Sequence, residues 1–438
     1  MRAAIRWAIR ELVRPRGPVR HRFYRASRSS RSGIALLMVM ASMTLMIVLV
    51  TEMTFQATVR MQLGAHQRDE VKAEALAMTG YNLYRLVLTG SKSLGDSLAK
   101  FIDPSMLAML GISGDSLWQM VPYINTGMMR MLLVSGGSPD EGDSPTTLTD
   151  EQVAESREDG GDDNFLDFDG DFYAEVSDED RKINVSRFTA TTAGDMANDA
   201  TVNQLVGLMS GVIECPVALG AFGGPPPGGT APTRDDVDQF FLDKNLDRMD
   251  LIGNLIDWGD ADNLRIYRGG LEDNLYNVIE PEPYLPKNAP LDTFEEIRLI
   301  DGWNDDDVWE RFGKQLTVYG SGKVNVTTAE CGVMHALLAS GLEPTPTSAE
   351  ITRIQDAIQQ QAMITPISSV SQLQDLIKGL GYTTKSTFSA MSSSESLVFR
   401  VTSTGQVGDA AVTVEAVIDY SGSGTQGLIG QVLYFRVK

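Results

Sequence analysis

The unbroken apolar run that begins Ile34-Ala35-Leu36-Leu37-Met38-Val39-Met40 and continues to Val50 constrains this chain more than any other stretch. It holds no charge, and only Ser42 and Thr44 are polar. As a helix rising about 1.5 Å per residue it would be roughly 25 Å long, just enough to cross a hydrocarbon core of about 30 Å if its flanks help. Residues 1 to 33 before it contain ten arginines, no lysine and one acid, Glu11. A basic flank of that kind stays on the cytoplasmic side. A secretory signal would be cut after its apolar region at a small-residue site. No such site follows Val50, and Thr51-Glu52-Met53-Thr54-Phe55-Gln56 continues as amphipathic helix. Two readings remain: an anchor kept whole, or a leader cut immediately before the apolar run.

The formal net charge is -21, and the leader's ten arginines against one glutamate leave -30 for the rest of the chain. A polyanion of that size is a poor ligand for nucleic acid, whose phosphates require Lys and Arg. It points to exported surface and to cations as partners. Two cysteines are no disulfide framework; Cys215 and Cys331 either pair in an oxidising compartment or stay as buried thiols.

A chain of 438 residues is long enough for two or three domains. From Thr51 to about Leu88, Val59, Leu63, Val71, Ala75, Met78 and Tyr81 alternate with charges at helical spacing, which predicts that the apolar helix continues outward. Ser135 to Asp171 is rich in Gly, Ser, Pro, Asp and Glu and reads as a solvated loop. Its end, Asp167-Phe168-Asp169-Gly170-Asp171, lacks the closing glutamate of a calcium-binding hand and reads as a charged turn. The echo of Lys182-Ile183-Asn184-Val185-Ser186 in Lys323-Val324-Asn325-Val326-Thr327 predicts two extended entries, each delivering a Ser or Thr to cap a following helix. Thr328 to Leu342 and Ser348 to Met363 form a helical pair whose acidic surroundings argue against nucleic acid. At the end the period becomes two. Leu397, Phe399 and Val401, then Val412, Val414, Ala416 and Ile418, then Leu433, Phe435 and Val437 predict a three-stranded antiparallel meander with one buried face, broken at Gly405 to Gly408 and Gly422 to Gly427. The outer half of the N-terminal helix is the available cover for that face.

The most chemical stretch is Leu255-Ile256-Asp257-Trp258-Gly259-Asp260-Ala261-Asp262, followed by Gly269-Gly270-Leu271-Glu272-Asp273 and Tyr276. The three aspartates follow an apolar helix containing Phe240, Phe241, Leu246, Ile252 and Leu255. Carboxylates at a helix C-terminus oppose the helix dipole and repel one another. Either the loop is simply solvated, or a hard divalent cation taking six to eight oxygens compensates, with Glu272 and Asp273 returning across a glycine turn. Catalysis finds no support. His66 and His335 lie near no nucleophile motif, and Gly320-Ser321-Gly322-Lys323 lacks the spacing of a phosphate loop.

A leader ending in Gly33 before a hydrophobic helix that stays attached resembles type IV prepilins and the pseudopilins of type II secretion. The resemblance implies that prepilin peptidase cuts between Gly33 and Ile34 and methylates Ile34. Most members carry glutamate at the fifth mature position, where this chain has Met38; the minor pseudopilin K family (general secretion pathway protein K) is the branch that lacks it. The block around Asp257 resembles that family's Asp-Trp-x-Asp-x-Asp, Gly-x-Glu-Asp and Tyr pattern, and the likeness continues through Pro283-Tyr284, Lys287-Asn288 and Phe294-Glu295-Glu296-Ile297-Arg298-Leu299-Ile300-Asp301-Gly302-Trp303. It implies calcium as the cation, with Asp257, Asp260, Asp262, Glu272 and Asp273 as candidate ligands, and Asn184 and Asn325 as structural positions.

The expected fold is therefore α+β: a pilin-like long N-terminal helix packed on a C-terminal antiparallel sheet, with a large inserted helical domain of SAM-like or helix-hairpin-helix-like type. Expected boundaries are a leader at 1–33, the helix at 34–90, the first globular region with its acidic loop at 91–185, the insertion at 186–379 in two parts meeting near 300, and the sheet at 380–438. The resemblance implies a structural, non-enzymatic role at the tip of the type II secretion pseudopilus, aiding its initiation or length control. Implied partners are the minor pseudopilins I and J, prepilin peptidase and the inner-membrane assembly platform, with a single pass through the inner membrane and the globular part in the periplasm. The competing readings are a minor pilin of a type IV pilus and a membrane-anchored calcium-dependent binding protein.

Overall fold

Seventy-one residues without a proline form one helix, α1 (Arg31–Phe101). The computed structural model describes residues 31–101, 118–119, 121–129, 170–210, 234–278, 282–422 and 429–438. The arginine-rich leader to residue 30, most of the acidic loop and Cys215 lie outside them. The chain divides into two units, Met1–Ala65 and His66–Lys438, each taken by itself.

In the first unit every large apolar side chain from Ile34 to Leu63 is exposed, from 43% at Val59 to 79% at Met61. Their hydroxyl neighbours turn inward. Ser42 Oγ donates to Val39 O at 2.9 Å, Thr44 Oγ1 to Ala41 O at 2.9 Å, and Thr54 Oγ1 to Val50 O at 2.8 Å. The few polar groups are thus satisfied without water, as a hydrocarbon surround requires. Among the described residues this is the one helix long and apolar enough to cross a membrane.

In the second unit α1 buries Ala73, Leu76, Ala77, Tyr81, Tyr84 and Leu88. Of the expected stripe only Tyr81 is fully buried; Val71 is 66% exposed, because the buried face is set by where the sheet lies beneath the helix. The sheet has five strands in the order β1-β2-β9-β10-β11, not the three of a terminal meander. β1 is Tyr123–Asn125 and β2 is Asp171–Asp178. β2 pairs antiparallel with β9 (Val398–Val407), which pairs with β10 (Ala410–Asp419), which pairs with β11 (Gln431–Val437). The stretch Asp171-Phe172-Tyr173-Ala174-Glu175-Val176 alternates exposed and buried residues, so the charged turn expected up to Asp171 gives way at once to strand. Phe399, Val401, Val412, Val414, Ala416 and Ile418 are buried as expected. Leu433, Phe435 and Val437 are not: they are 39 to 45% exposed, because β11 is the sheet edge, where Tyr81 of α1 meets Phe435 at 5.6 Å between ring centroids.

Gly405 sits within β9, not in a break; the turn is at Gly408, with φ +57°. A Cβ on Gly405 would stand 2.0 Å from Ala73 O and 2.7 Å from Ala77 N. Helix backbone and strand backbone meet there directly.

The chain between β2 and β9 forms the helical body. Its elements are β3 (Ile183–Asn184), α2 (Ala200–Leu208), α3 (Arg234–Lys244), α4 (Arg248–Gly259), α5 (Asp273–Tyr276), α6 (Asp306–Phe312), β4 (Leu316–Thr317), β5 (Val324–Asn325), α7 (Cys331–Gly341), β6 (Leu342–Glu343), α8 (Ser348–Ile364), α9 (Val370–Gly379), β7 (Thr383–Thr384), α10 (Ser386–Met391) and β8 (Ser392–Ser393). The expected α+β fold with a helical insertion is the one observed. Its core is a second apolar cluster, with Trp303, Phe312, Leu205, Ile252 and Leu337 at its centre.

The echoed segments are short parallel pairs, β3 with β4 and β5 with β8. Asn184 Nδ2 donates to Tyr319 O at 2.6 Å while its Oδ1 accepts Ser186 N–H at 2.8 Å; Asn325 Nδ2 donates to Ser396 Oγ at 2.7 Å while its Oδ1 accepts Thr327 N–H at 3.0 Å. Each asparagine closes a turn on itself and clamps a returning strand. Ser186 and Thr327 cap no helix: α2 is capped by Asp199, and α7 begins after Glu330. The hydroxyls fall several residues short of the helix starts.

Three consecutive acids tie the body to the sheet. Asp178 Oδ2 accepts from Ser396 Oγ and Thr328 Oγ1, both at 2.6 Å. Glu179 meets Arg400 at 2.6 Å and Lys182 at 2.9 Å. Asp180 Oδ2 accepts the backbone N–H groups of Leu397 and Val398 at 2.7 and 3.0 Å. Burial pushes Asp180 up to about 7, with the charge of Asp178 adding to it. Burial also opposes the charge on Glu179, but Lys182 and Arg400 outweigh it and hold that carboxyl below its usual range.

Two predictions follow from these contacts. Gly405→Ala pushes α1 off β9 and should cost about 1–3 kcal/mol in denaturant unfolding; an unchanged midpoint would contradict the close approach. Asp180 keeps its proton to about pH 7 in the fold but loses it near 4 when unfolded, so its contribution to stability falls as pH rises between those values. Asp180→Asn should flatten that decline by about 1–2 kcal/mol between pH 5 and 7, read from unfolding curves at each pH.

Candidate metal centre

The acidic loop is built on α4. The expected single apolar helix is two: α3 ends at Lys244, Asn245 takes φ +54°, and Asp247 opens α4 by accepting Met249 N–H at 2.8 Å. Leu251, Ile252, Leu255, Ile256 and Trp258 bury the helix, and Asn254 Nδ2 donates to Asp301 O at 3.0 Å. Trp303 Nε1 donates to Leu251 O at 2.9 Å. Trp258, Tyr276 and Tyr284 pack ring against ring at 5.4 to 6.3 Å. The last turn of α4 is therefore rigidly held, and the acids project from it.

Asp257 is 3% exposed, and its Oδ1 accepts Ile266 N–H at 2.8 Å, drawing the loop back over the helix end. Asp260 Oδ1 accepts Asp262 N–H at 3.2 Å, and Asp262 Oδ1 accepts Leu264 N–H at 2.8 Å, so each acid shapes the turn that places the next. Arg265 N–H donates to Gly270 O at 3.0 Å across the turn formed by Gly269 and Gly270, whose φ of +71° and +93° only glycine adopts freely. A bridge between Leu264 and Leu271 closes the return and delivers Glu272 beneath the loop.

Glu272 is fully buried, and neither carboxylate oxygen has a hydrogen-bond partner. Burial first, then the charges of Asp257, Asp260, Asp262 and Asp273, push it up to about 8. Burial likewise pushes Asp257 up to about 7, aided by Asp260 and Asp262, and it raises Asp260. One ligand oxygen from each of Asp260, Asp262 and Glu272 lies within 4.8 Å of the others. Oxygens bound to a calcium ion at about 2.3–2.6 Å can be up to about 5 Å apart across it, so this trio fits a hard cation in both donor type and spacing. The two unpartnered oxygens of Glu272 are what such an ion would satisfy.

Of the five predicted acids, the structure brings three together. Asp257 stands beside them with one oxygen committed to Ile266. Asp273 opens the short helix α5, its N–H pointing to Asn263 Oδ1 at 3.4 Å, and acts on Glu272 through charge. Two asparagines had no assigned role in the sequence reading. Asn263 pins the return strand, and Asn288, at φ +47°, donates from Nδ2 to Asp262 O and leaves its Oδ1 buried without a partner. The echo of Lys287-Asn288 in the resemblance was the available signal. Of the predicted cysteine pair, Cys331, the first residue of α7, is not a free thiol, and Cys215 lies outside the described residues. Gly33 and Ile34 both lie within α1.

Residues 237–321, which contain the acidic loop, match the family model for type II secretion system (T2SS), protein K. The match bears out the recognition of a type II secretion protein K, which rested on the resemblance of the Gly33–Ile34 junction, Met38 and the block around Asp257. Among solved structures, a chain of the GspK-GspI-GspJ complex from the enterotoxigenic Escherichia coli type 2 secretion system is 16% identical, with 62% of this chain and 80% of that chain covered at a TM-score of 0.40. No curated protein matches.

The glycine turn generates a prediction. A Cβ on Gly270 meets no atom, so Gly270→Ala tests backbone conformation alone. It should cost about 1 kcal/mol in urea unfolding, and no change would mean that the turn does not hold this conformation.

Proposed function

We propose that this chain is a minor pseudopilin of type II secretion, cut by prepilin peptidase between Gly33 and Ile34 and methylated at Ile34. Ile34 to Val50 then anchors it in the inner membrane in a single pass, with the helical body and sheet in the periplasm. It sits at the pseudopilus tip with the minor pseudopilins I and J, above the inner-membrane assembly platform, and aids initiation or length control of the pseudopilus. The observation that carries this reading is the match of residues 237–321 to protein K. The exposed apolar run from Ile34 to Val50, in a helix long and apolar enough to cross a membrane, supports the anchor. The role is structural, and no catalysis is assigned to it.

Calcium is the proposed ion of the acidic loop. Asp260, Asp262 and Glu272 would hold it, with Asp257 and Asp273 adding negative charge around them. It would supply no reaction; it neutralises acids that otherwise repel across a buried carboxylate, and so orders the loop from Asp257 to Asp273.

Calcium at about 100 times its Kd should stabilise the purified protein by about 2.7 kcal/mol. Glu272→Gln should raise Tm in chelator only above about pH 8, where the buried unpaired carboxylate is charged, and should abolish most of the calcium-dependent gain. An undiminished gain in the variant would place the ion elsewhere. Tagged protein extracted from membranes should bring down the minor pseudopilins I and J, with loss of both when α1 is truncated. Recovery alone from cells that contain both would contradict the tip assignment.

A further inference from the structure

One oxygen beside the acidic loop is left unaccounted for by the contacts above. Asn288, on the segment that follows α5, donates from Nδ2 to Asp262 O, while its Oδ1 is buried and has no hydrogen-bond partner among the described residues. A side-chain amide answers an orphaned oxygen by turning over, which exchanges Oδ1 and Nδ2. Here that exchange would set Oδ1 against Asp262 O, two acceptors face to face. The partner therefore fixes which way the amide points. Oδ1 shares a carbon with Nδ2, so the bond that seats the nitrogen on Asp262 also holds the oxygen at the turn between Asp260 and Asp262.

The backbone that delivers this side chain is held without help from the loop. Lys287 Nζ meets Asp292 at 2.7 Å and Glu296 at 2.8 Å, and Tyr284 OH donates to Leu299 O at 2.6 Å while its ring packs on Trp258 of α4. Between these anchors Asn288 takes φ +47°, a left-handed conformation that asparagine tolerates better than most residues. The segment is thus fixed on both sides, and its one left-handed residue presents the amide to the acids. Asp260, Asp262 and Glu272 offer one oxygen each, at most half of the six to eight that calcium takes. Side-chain amide oxygens are regular members of such shells, and a neutral donor extends the shell without adding to the repulsion among the carboxylates.

We propose that Asn288 Oδ1 is a further ligand of the cation, so that the ion bonds the acidic loop to the segment carrying Tyr284, Lys287 and Asn288; this rests on the calcium reading above. A buried oxygen with a fixed orientation and no protein partner is the group that an ion at this turn would satisfy. The consequence is a longer ordered unit than the loop alone. Cation binding then fixes the chain from Asp257 to Asn288, and from there the Lys287 contacts carry it to the segment whose Phe294 lies under Arg400.

The test is terbium luminescence on the full chain in detergent, with terbium standing in for calcium at oxygen ligands and Trp258, next to Asp257 on α4, exciting it. Lifetimes compared in light and heavy water count the waters on the bound ion, a number that an asparagine with a purely structural role does not set. The signal read is the part that Glu272→Gln removes. Asn288→Ala should add about one water to the ion and weaken calcium, measured by calorimetry, about tenfold. Asn288→Asp keeps an oxygen at the position but loses the donor to Asp262 O, and should leave the water count as in the wild type. An unchanged count in Asn288→Ala with the ion still bound, or an added water in Asn288→Asp, overturns this proposal and leaves the calcium reading standing. A wild-type chain with no signal that Glu272→Gln removes overturns the calcium reading, and the proposal with it.

Discussion

The direct backbone contact between α1 and β9 is the constraint on which the rest of the structure depends. Gly405 of β9 faces Ala73 and Ala77 of the helix, and Gly80 of the helix faces Ser403, where a Cβ would stand 2.3 Å from Oγ. Two glycines, one on each element and at offset positions, let a helix and a strand approach more closely than side chains allow. That approach puts Leu76, Tyr81, Tyr84 and Leu88 over Phe172, Val401 and Val414. Each such large side chain contributes about 1.5–3 kcal/mol by leaving water. A sheet with a single covered face has no other way to hide it.

The helical body leaves and rejoins the same sheet on neighbouring strands. β2 and β9 are neighbours, so the chain leaving Asp178 must come back to Val398 beside it. Asp178, Glu179 and Asp180 make that closure, taking in the hydroxyls of Ser396, Thr328 and Thr317, the Arg400 guanidinium and two backbone N–H groups. Arg400 also lies over Phe294 and Tyr319, at 5.7 and 5.8 Å from the ring centroids, which links the junction to the segment that leads out of the acidic loop. A carboxylate cluster with no buried unpartnered oxygen holds the junction, whereas the cluster at Asp260, Asp262 and Glu272 contains two oxygens with no partner at all. The contrast separates acids that serve the fold from acids that fit a cation.

Periodicity made much of this architecture legible before any coordinates. The apolar run from Ile34, the alternation in β9 and β10, and the spacing of Asp257, Asp260, Asp262 and Glu272 each reflect a local rule of helix, strand or turn. Non-local facts were hidden. Leu433, Phe435 and Val437 alternate as well as Val412, Val414 and Ala416 do, yet only their neighbours in the sheet decide that β11 is the uncovered edge. β2 was missed because it emerges directly from an acidic stretch and its partner lies far along the chain. In the site, Asn263 escaped notice and Asn288 was noted without a role, since an asparagine that closes a loop from a distance leaves no periodic mark.

The most direct test of the pseudopilin account is the N-terminal sequence and mass of the mature protein from cells with and without prepilin peptidase. The account predicts a chain starting at N-methylated Ile34 only when the peptidase is present. An N-terminus that keeps the leader in both strains, or one that begins beyond Val50, would contradict it.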